Sequence, residues 1–201
     1  NVDYQEVWGN YQDYKNDFDK YIDYLISSVE ILCKNYGKIG GIWFDGMWDK
    51  KDENWEEDEL YSLIRKYQPD AMIINNTGLS ARGELGHIEL DSVTFERGRP
   101  CPINLDDSPK YIASEMCQIF GNYWGYAKRD FNFKSLIEII EDFCICRRYG
   151  ANYLLNIGPM GNGQLRPLDK AMLGALGEWV DIYKEALYLP RPAKIEIENK
   201  E

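Results

Sequence analysis

A four-residue apolar run ending on a carboxylate limits what this chain can fold into more than any other feature. In Gly40-Gly41-Ile42-Trp43-Phe44-Asp45-Gly46-Met47-Trp48, residues 41–44 have the small and apolar character of a strand covered on both faces, as in a parallel sheet. The chain turns as soon as Gly46 arrives. Ahead of the run, Phe18, Ile22, Leu25, Ile26, Val29, Leu32, Cys33 and Tyr36 recur at steps of three and four, which predicts an amphipathic helix ending at Gly37.

The same unit then repeats. Asp49 to Glu59 is a charged loop opening a helix through Leu60, Leu63, Ile64 and Tyr67, which Pro69 stops before a second short strand at Ala71 to Asn76. Lys134 to Tyr149 reads as a helix with Leu136, Ile137, Ile139, Ile140, Phe143 and Cys144 on its inner side. A strand at Asn152 to Pro159, a glycine turn through Gly163 and a last helix over Leu168 to Tyr183 follow. Between these repeats, Thr77 to Pro109 is rich in Gly and Pro, with Leu90 to Phe95 as its strand-like part, and Ser114 to Tyr126 holds a further strand tip.

Helices alternating with short buried strands imply an α/β fold with parallel strands and right-handed crossovers. Four to five such units make half to two-thirds of an eight-stranded barrel, and 201 residues fall short of the roughly 250 of a complete one. Residues 1–16 read as a loop. Pro190 and Pro192 mark a boundary, after which Ile195 and Ile197 alternate with polar residues as a β-element begins, so the expected division is 1–189 and 190–201.

A net charge of −11 argues against a nucleic-acid partner, because phosphate binding needs clustered Lys and Arg. The five cysteines are scattered, and with His87 as the one histidine no metal site or cofactor is expected. No run of 18 apolar residues is present, so no membrane span is expected. Aromatic residues at 14% suit a protein that stacks on sugars, although core packing uses the same rings.

Asp45 is the reactive candidate. A carboxylate at the C-terminal tip of a parallel strand sits where α/β barrels place catalytic groups, and the indoles of Trp43 and Trp48 offer flat apolar surface to a sugar. The alternative is an ordinary Asp capping a strand-to-helix turn.

Four blocks, GIWFDG (41–46), DSVTFERG (91–98), SEMCQIFGNYWGY (114–126) and NYLLNIGPMGNGQLRP (152–167), resemble in this order the second part of the catalytic domain of α-L-fucosidases of glycoside hydrolase family 29. The resemblance implies a (β/α)8 TIM-like barrel present in part, about strands 4 to 8 with their helices, and a retaining exo-glycosidase that needs no cofactor. It implies Asp45 as nucleophile and Glu96 as general acid/base, with Phe95 standing where many members carry proline. Retention uses two carboxyl groups about 5 Å apart, one attacking the anomeric carbon and one protonating the departing oxygen.

Glu115 matches a common Trp-Glu motif with Ser114 in place of Trp, and is expected to bind or support the site. Trp43 and Trp124 are expected to wall the C5 methyl of fucose. Asn75, Asn76 and Arg82 are placed to orient hydroxyls or keep a carboxylate ionised, and Asn156 is placed similarly. The expected partner is a fucosylated oligosaccharide or glycoconjugate. The histidines that such enzymes usually supply from their first barrel strands are missing. The resemblance therefore also implies that the remaining strands come from the same longer chain, from another chain, or from a homo-oligomer that closes the core. Two rival readings stay open: a catalytically incomplete carbohydrate-binding or assembly module, and a barrel glycosidase for another sugar such as a galactoside.

Overall fold

The computed structural model describes residues 17–76, 86–102 and 110–190. They fall into two compact units, the first holding residues 17–76 and 86–91, the second residues 92–102 and 110–190. The expected loop at 1–16, Arg82 and the β-element at 193–199 lie outside the described residues.

In the first unit, helix α1 (Phe18–Asn35) leads to strand β1 (Gly41–Phe44), and helix α2 (Glu57–Tyr67) leads to strand β2 (Met72–Asn75). Gly37 ends α1 as expected, in the left-handed conformation at φ 71°. β1 and β2 pair in parallel, Gly41 opposite Met72 and Phe44 opposite Asn75. Gly41 is required there: a Cβ would lie 2.7 Å from the Met72 carbonyl oxygen. β1 is not covered on both faces. Phe44 is buried against the Tyr61 ring of α2 at 5.9 Å, while Trp43 points to the opposite side and is exposed.

Two polar side chains, Arg65 of α2 and Gln68 just past its end, tie this unit together. Gln68 donates to the carbonyls of Cys33 and Gly37, both at 2.7 Å, and accepts from the Ile39 amide. It thereby satisfies the open carbonyls where α1 ends. Arg65 donates to the backbone oxygens of Ala71 and Glu89 and pairs with the Asp91 carboxylate at 2.6 Å and that of Glu89 at 2.9 Å. The Asp91 carboxylate in turn accepts from the Ile73 amide.

In the second unit, strands β3 (Ser92–Glu96), β4 (Ala113–Ile119) and β5 (Asn152–Asn156) are parallel neighbours, and helices α3 (Leu136–Tyr149) and α4 (Pro167–Tyr188) flank β5 in sequence. α3 opens on a capping box between Ser135 and Glu138 and closes at Gly150, φ 68°. Its buried side differs from the expected one. Ile139, Asp142 and Cys146 face inward, whereas Ile137 and Cys144 are exposed. With apolar residues spread over most of its first nine positions, the helix pattern does not single out a face. Packing is decided by Asp142, which goes inside because Lys134 at 2.8 Å and Arg99 at 3.6 Å neutralise it. A buried charge recurs at the start of α4, where the Asp169 carboxylate meets the Arg166 guanidinium at 3.0 Å. That guanidinium lies over the Phe133 ring at 4.5 Å.

Parallel strands joined through helices make this the fold of part of a (β/α)8 barrel. Two outcomes test the packing. Arg65→Met, which leaves Asp91 and two carbonyls unpaired, is expected to lower unfolding stability by about 2 kcal/mol in a urea titration, a figure discounted for partial exposure. Burial, helped by Asp142, pushes the Cys146 thiol up to about 12. Alkylation at pH about 8 followed by peptide mass spectrometry should therefore label exposed Cys101 and Cys144 and spare Cys146.

Candidate active site

In the first unit the site is built on the tip of β1. Phe44 is the last strand residue, Asp45 follows it, and Gly46 at φ 90° lets the chain reverse at once into the short 3₁₀ turn Met47–Asp49. That reversal brings Trp48 back over Asp45. Three donors converge on one carboxylate oxygen: Oδ1 accepts from the Gly46 amide at 2.8 Å, from Trp48 Nε1 at 2.9 Å and from Asn76 Nδ2 at 3.2 Å. Among the described residues none reaches Oδ2. The three hydrogen bonds fix the plane of the Asp45 carboxylate through Oδ1.

The neighbouring tip of β2 supplies the support. Asn76 is buried, and its backbone N–H donates to the Phe44 carbonyl at 2.9 Å, which fixes it beside the tip of β1. Asn75 is buried too, but its amide donates to Tyr61 Oη at 2.9 Å and to Glu57 Oε1 at 3.3 Å and lies against Met47. Burial, with the Glu57 carboxylate beside it, pushes the Tyr61 phenol well above its ordinary range, so it stays protonated and donates to Glu57 at 2.9 Å. His87 joins this group rather than standing on a loop surface. Its Nε2 meets Asp58 at 3.0 Å, its Nδ1 accepts from the Glu89 amide, and its ring packs on Tyr61 at 4.9 Å.

The second unit brings Glu96, Trp124 and Asn156 to the C-terminal ends of its strands. Glu96 is the last residue of β3, and Asn156 the last of β5. Asn156 donates to the Trp124 carbonyl at 2.6 Å. Trp124 is 38% exposed in a loop that Asp130 holds by accepting from both the amide and the side chain of Asn122. Glu115 is not at this end. It lies near the start of β4, in one row with Thr94 and Asn152, and accepts from Asn152 at 2.9 Å.

Of the residues singled out from sequence, the structure brings Asp45 and Asn76 together in one unit and sets Glu96 and Trp124 after neighbouring strands of the other. The sequence reading missed the Trp48 indole as a partner of Asp45. The signal was present in the three-residue spacing across a glycine turn. It also missed Arg97, for which the sequence holds no signal. Among the described residues no group of three or more His, Cys, Asp or Glu side chains is gathered as a metal site would require.

Comparison with known proteins gives a consistent result. A family model described as Alpha-L-fucosidase matches residues 1–185. The tissue alpha-L-fucosidase of Rattus norvegicus is 30% identical over 165 residues, covering 79% of this chain and 34% of that protein, and the Homo sapiens tissue alpha-L-fucosidase is 30% identical with 79% and 33% covered. The chain spans about a third of the length of these curated relatives. Alpha-L-fucosidase isoenzyme 1 from Paenibacillus thiaminolyticus superposes with a TM-score of 0.75 at 28% identity, over 94% of this chain and 46% of that one.

The Asp45 and Asn76 pairing is checked by Asn76→Asp, which sets a second carboxylate against the first. Like charges at hydrogen-bond distance cannot both ionise cheaply, so the folded variant holds a proton that its unfolded chain releases. Its stability should fall by about 2 kcal/mol at neutral pH and recover toward the parent value below pH about 4, as read by denaturation across that range.

Proposed function

We propose, because this chain belongs to the alpha-L-fucosidase family, that it carries the catalytic carboxylates of a retaining exo-glycosidase releasing terminal α-L-fucose from glycans. The observation that supports the reading most is Asp45 at the tip of β1, with three donors holding its Oδ1.

In this reading Oδ2 of Asp45 attacks C1 of the fucosyl unit as the glycosidic C1–O bond breaks. Glu96 delivers its proton to the departing oxygen, and the product is a glycosyl ester on Asp45 plus the free aglycone. Glu96, now a carboxylate, takes a proton from water. The resulting hydroxyl adds to C1, the ester C–O bond breaks, and fucose leaves with its configuration retained. The three donors on Oδ1 hold the carboxylate in one orientation before and during attack, so little reorganisation is needed at the moment of reaction.

Trp43 and Trp124, both partly exposed, supply apolar surface for the C5 methyl and ring face of the sugar. Asn76 acts through Asp45. Asn75 and Glu115 act as supports, the first holding Tyr61 and Glu57 in place, the second bracing the base of β4 against β5. Arg82 is proposed to contact the sugar.

Hydrolysis of a panel of aryl glycosides tests the reading on the whole protein. An aryl α-L-fucoside should be cleaved with retention by NMR, an aryl galactoside should not, and Asp45→Ala should lower kcat/KM by at least about a thousandfold. For Glu96, azide should restore turnover of the alanine variant on an activated substrate. Undiminished turnover in Asp45→Ala would remove the assignment.

A further inference from the structure

Arg97 has a backbone conformation that arginine rarely adopts, and the second unit shows what holds it there. Its φ is 50°, one of two positive values at non-glycine residues among those described. The residue directly follows Glu96, and its amide donates to the Cys117 carbonyl on β4 at 2.9 Å, so the bend is anchored at once to the next strand. The side chain then reaches the loop after β4. Its guanidinium donates to the Asn122 carbonyl at 3.0 Å and lies over the Trp124 ring, 5.7 Å from the centroid.

The Trp124 loop is gripped from other directions as well. Asn156 at the tip of β5 holds the Trp124 carbonyl, Asp130 holds Asn122, and Gly158 packs so closely that a Cβ would run into the backbone of Gly125 and Tyr126. These contacts fix the main chain of the loop. The indole itself is touched by the guanidinium, whose cation–π attraction orients a ring that is otherwise partly in water.

We infer that Arg97 is a positioning residue: it clamps the Trp124 indole to the bend after Glu96, so that the aromatic wall and the proposed proton donor are set by one side chain. A sugar stacks on the Trp124 face that the guanidinium leaves uncovered. The clamp rests on the fucosidase reading for its ligand, and its left-handed backbone is stabilised by the contacts the side chain makes. Lysine keeps a cation but loses the planar fork that spans the Asn122 carbonyl and the ring together.

The test uses Arg97→Ala, Arg97→Gly and Arg97→Lys in the whole protein, each checked by circular dichroism. Acrylamide quenching of Trp124 is read as the difference from Trp124→Phe in the same background. The clamp predicts that Ala and Gly both raise quenching of Trp124 and raise KM for an aryl α-L-fucoside about tenfold with a smaller change in kcat, and that Lys restores part of both. Glycine is the discriminating variant, since it relieves the positive φ and removes only the side chain. Wild-type quenching and KM in Ala and Gly would overturn the clamp and leave the fucosidase reading standing. Recovery in Gly but not Ala would overturn it too, by assigning the effect to the backbone. An inactive wild type overturns the functional reading, and the pocket role of Trp124 falls with it.

Discussion

A parallel strand satisfies its backbone groups along its length but not at its ends, and most of the informative side chains in this protein meet that need. In the first unit Arg65 on α2 takes up the carbonyls of Ala71 and Glu89 beside β2, and Gln68 just past α2 does the same for Cys33 and Gly37 where α1 gives way to β1. In the second, Gln118 donates to the Gly98 carbonyl, Asn156 to that of Trp124, and Asp130 accepts from the Asn122 amide. Charges follow the groups they serve. Where one is buried, as at Asp142 and Asp169, an opposite charge has been brought in with it.

The same geometry explains why reactive groups gather at one end of each strand set. Side chains along a strand are spoken for by packing, whereas the residue just past its tip is held at its backbone and open at its side chain. Asp45 gains its donors from a glycine turn, an indole three residues on and an amide on the next strand. Trp124 is prepared differently, by fixing a loop rather than a turn. Both arrangements are held by hydrogen bonds within the chain itself.

The strands and helices were legible because apolar periodicity and glycine or proline stops coincide at Gly37, Pro69 and Gly150. Asp45 and Asn76 could be read from their places after strands. What escaped depends on contacts between distant residues. The inward side of α3 turns on Asp142, which looks like a surface acid until Lys134 and Arg99 are placed beside it. Glu115 was expected to bind or support the site; it lies near the start of β4 opposite Asn152, whose side chain donates to it. His87 looked like a loop residue because its partners, Asp58 and Tyr61, lie on a helix far away in sequence. Arg97 sits in a bend that no local pattern announces.

The contact at Gly158 bears on how such a site can diversify. Backbone packed on backbone there admits no side chain, so point substitution at Gly158 cannot be absorbed without shifting the main chain of Gly125 and Tyr126. Length changes in either segment would break the fit of both. Variation around this loop is thereby channelled to outward positions such as Tyr123, 60% exposed, which directed evolution could randomise without disturbing the scaffold.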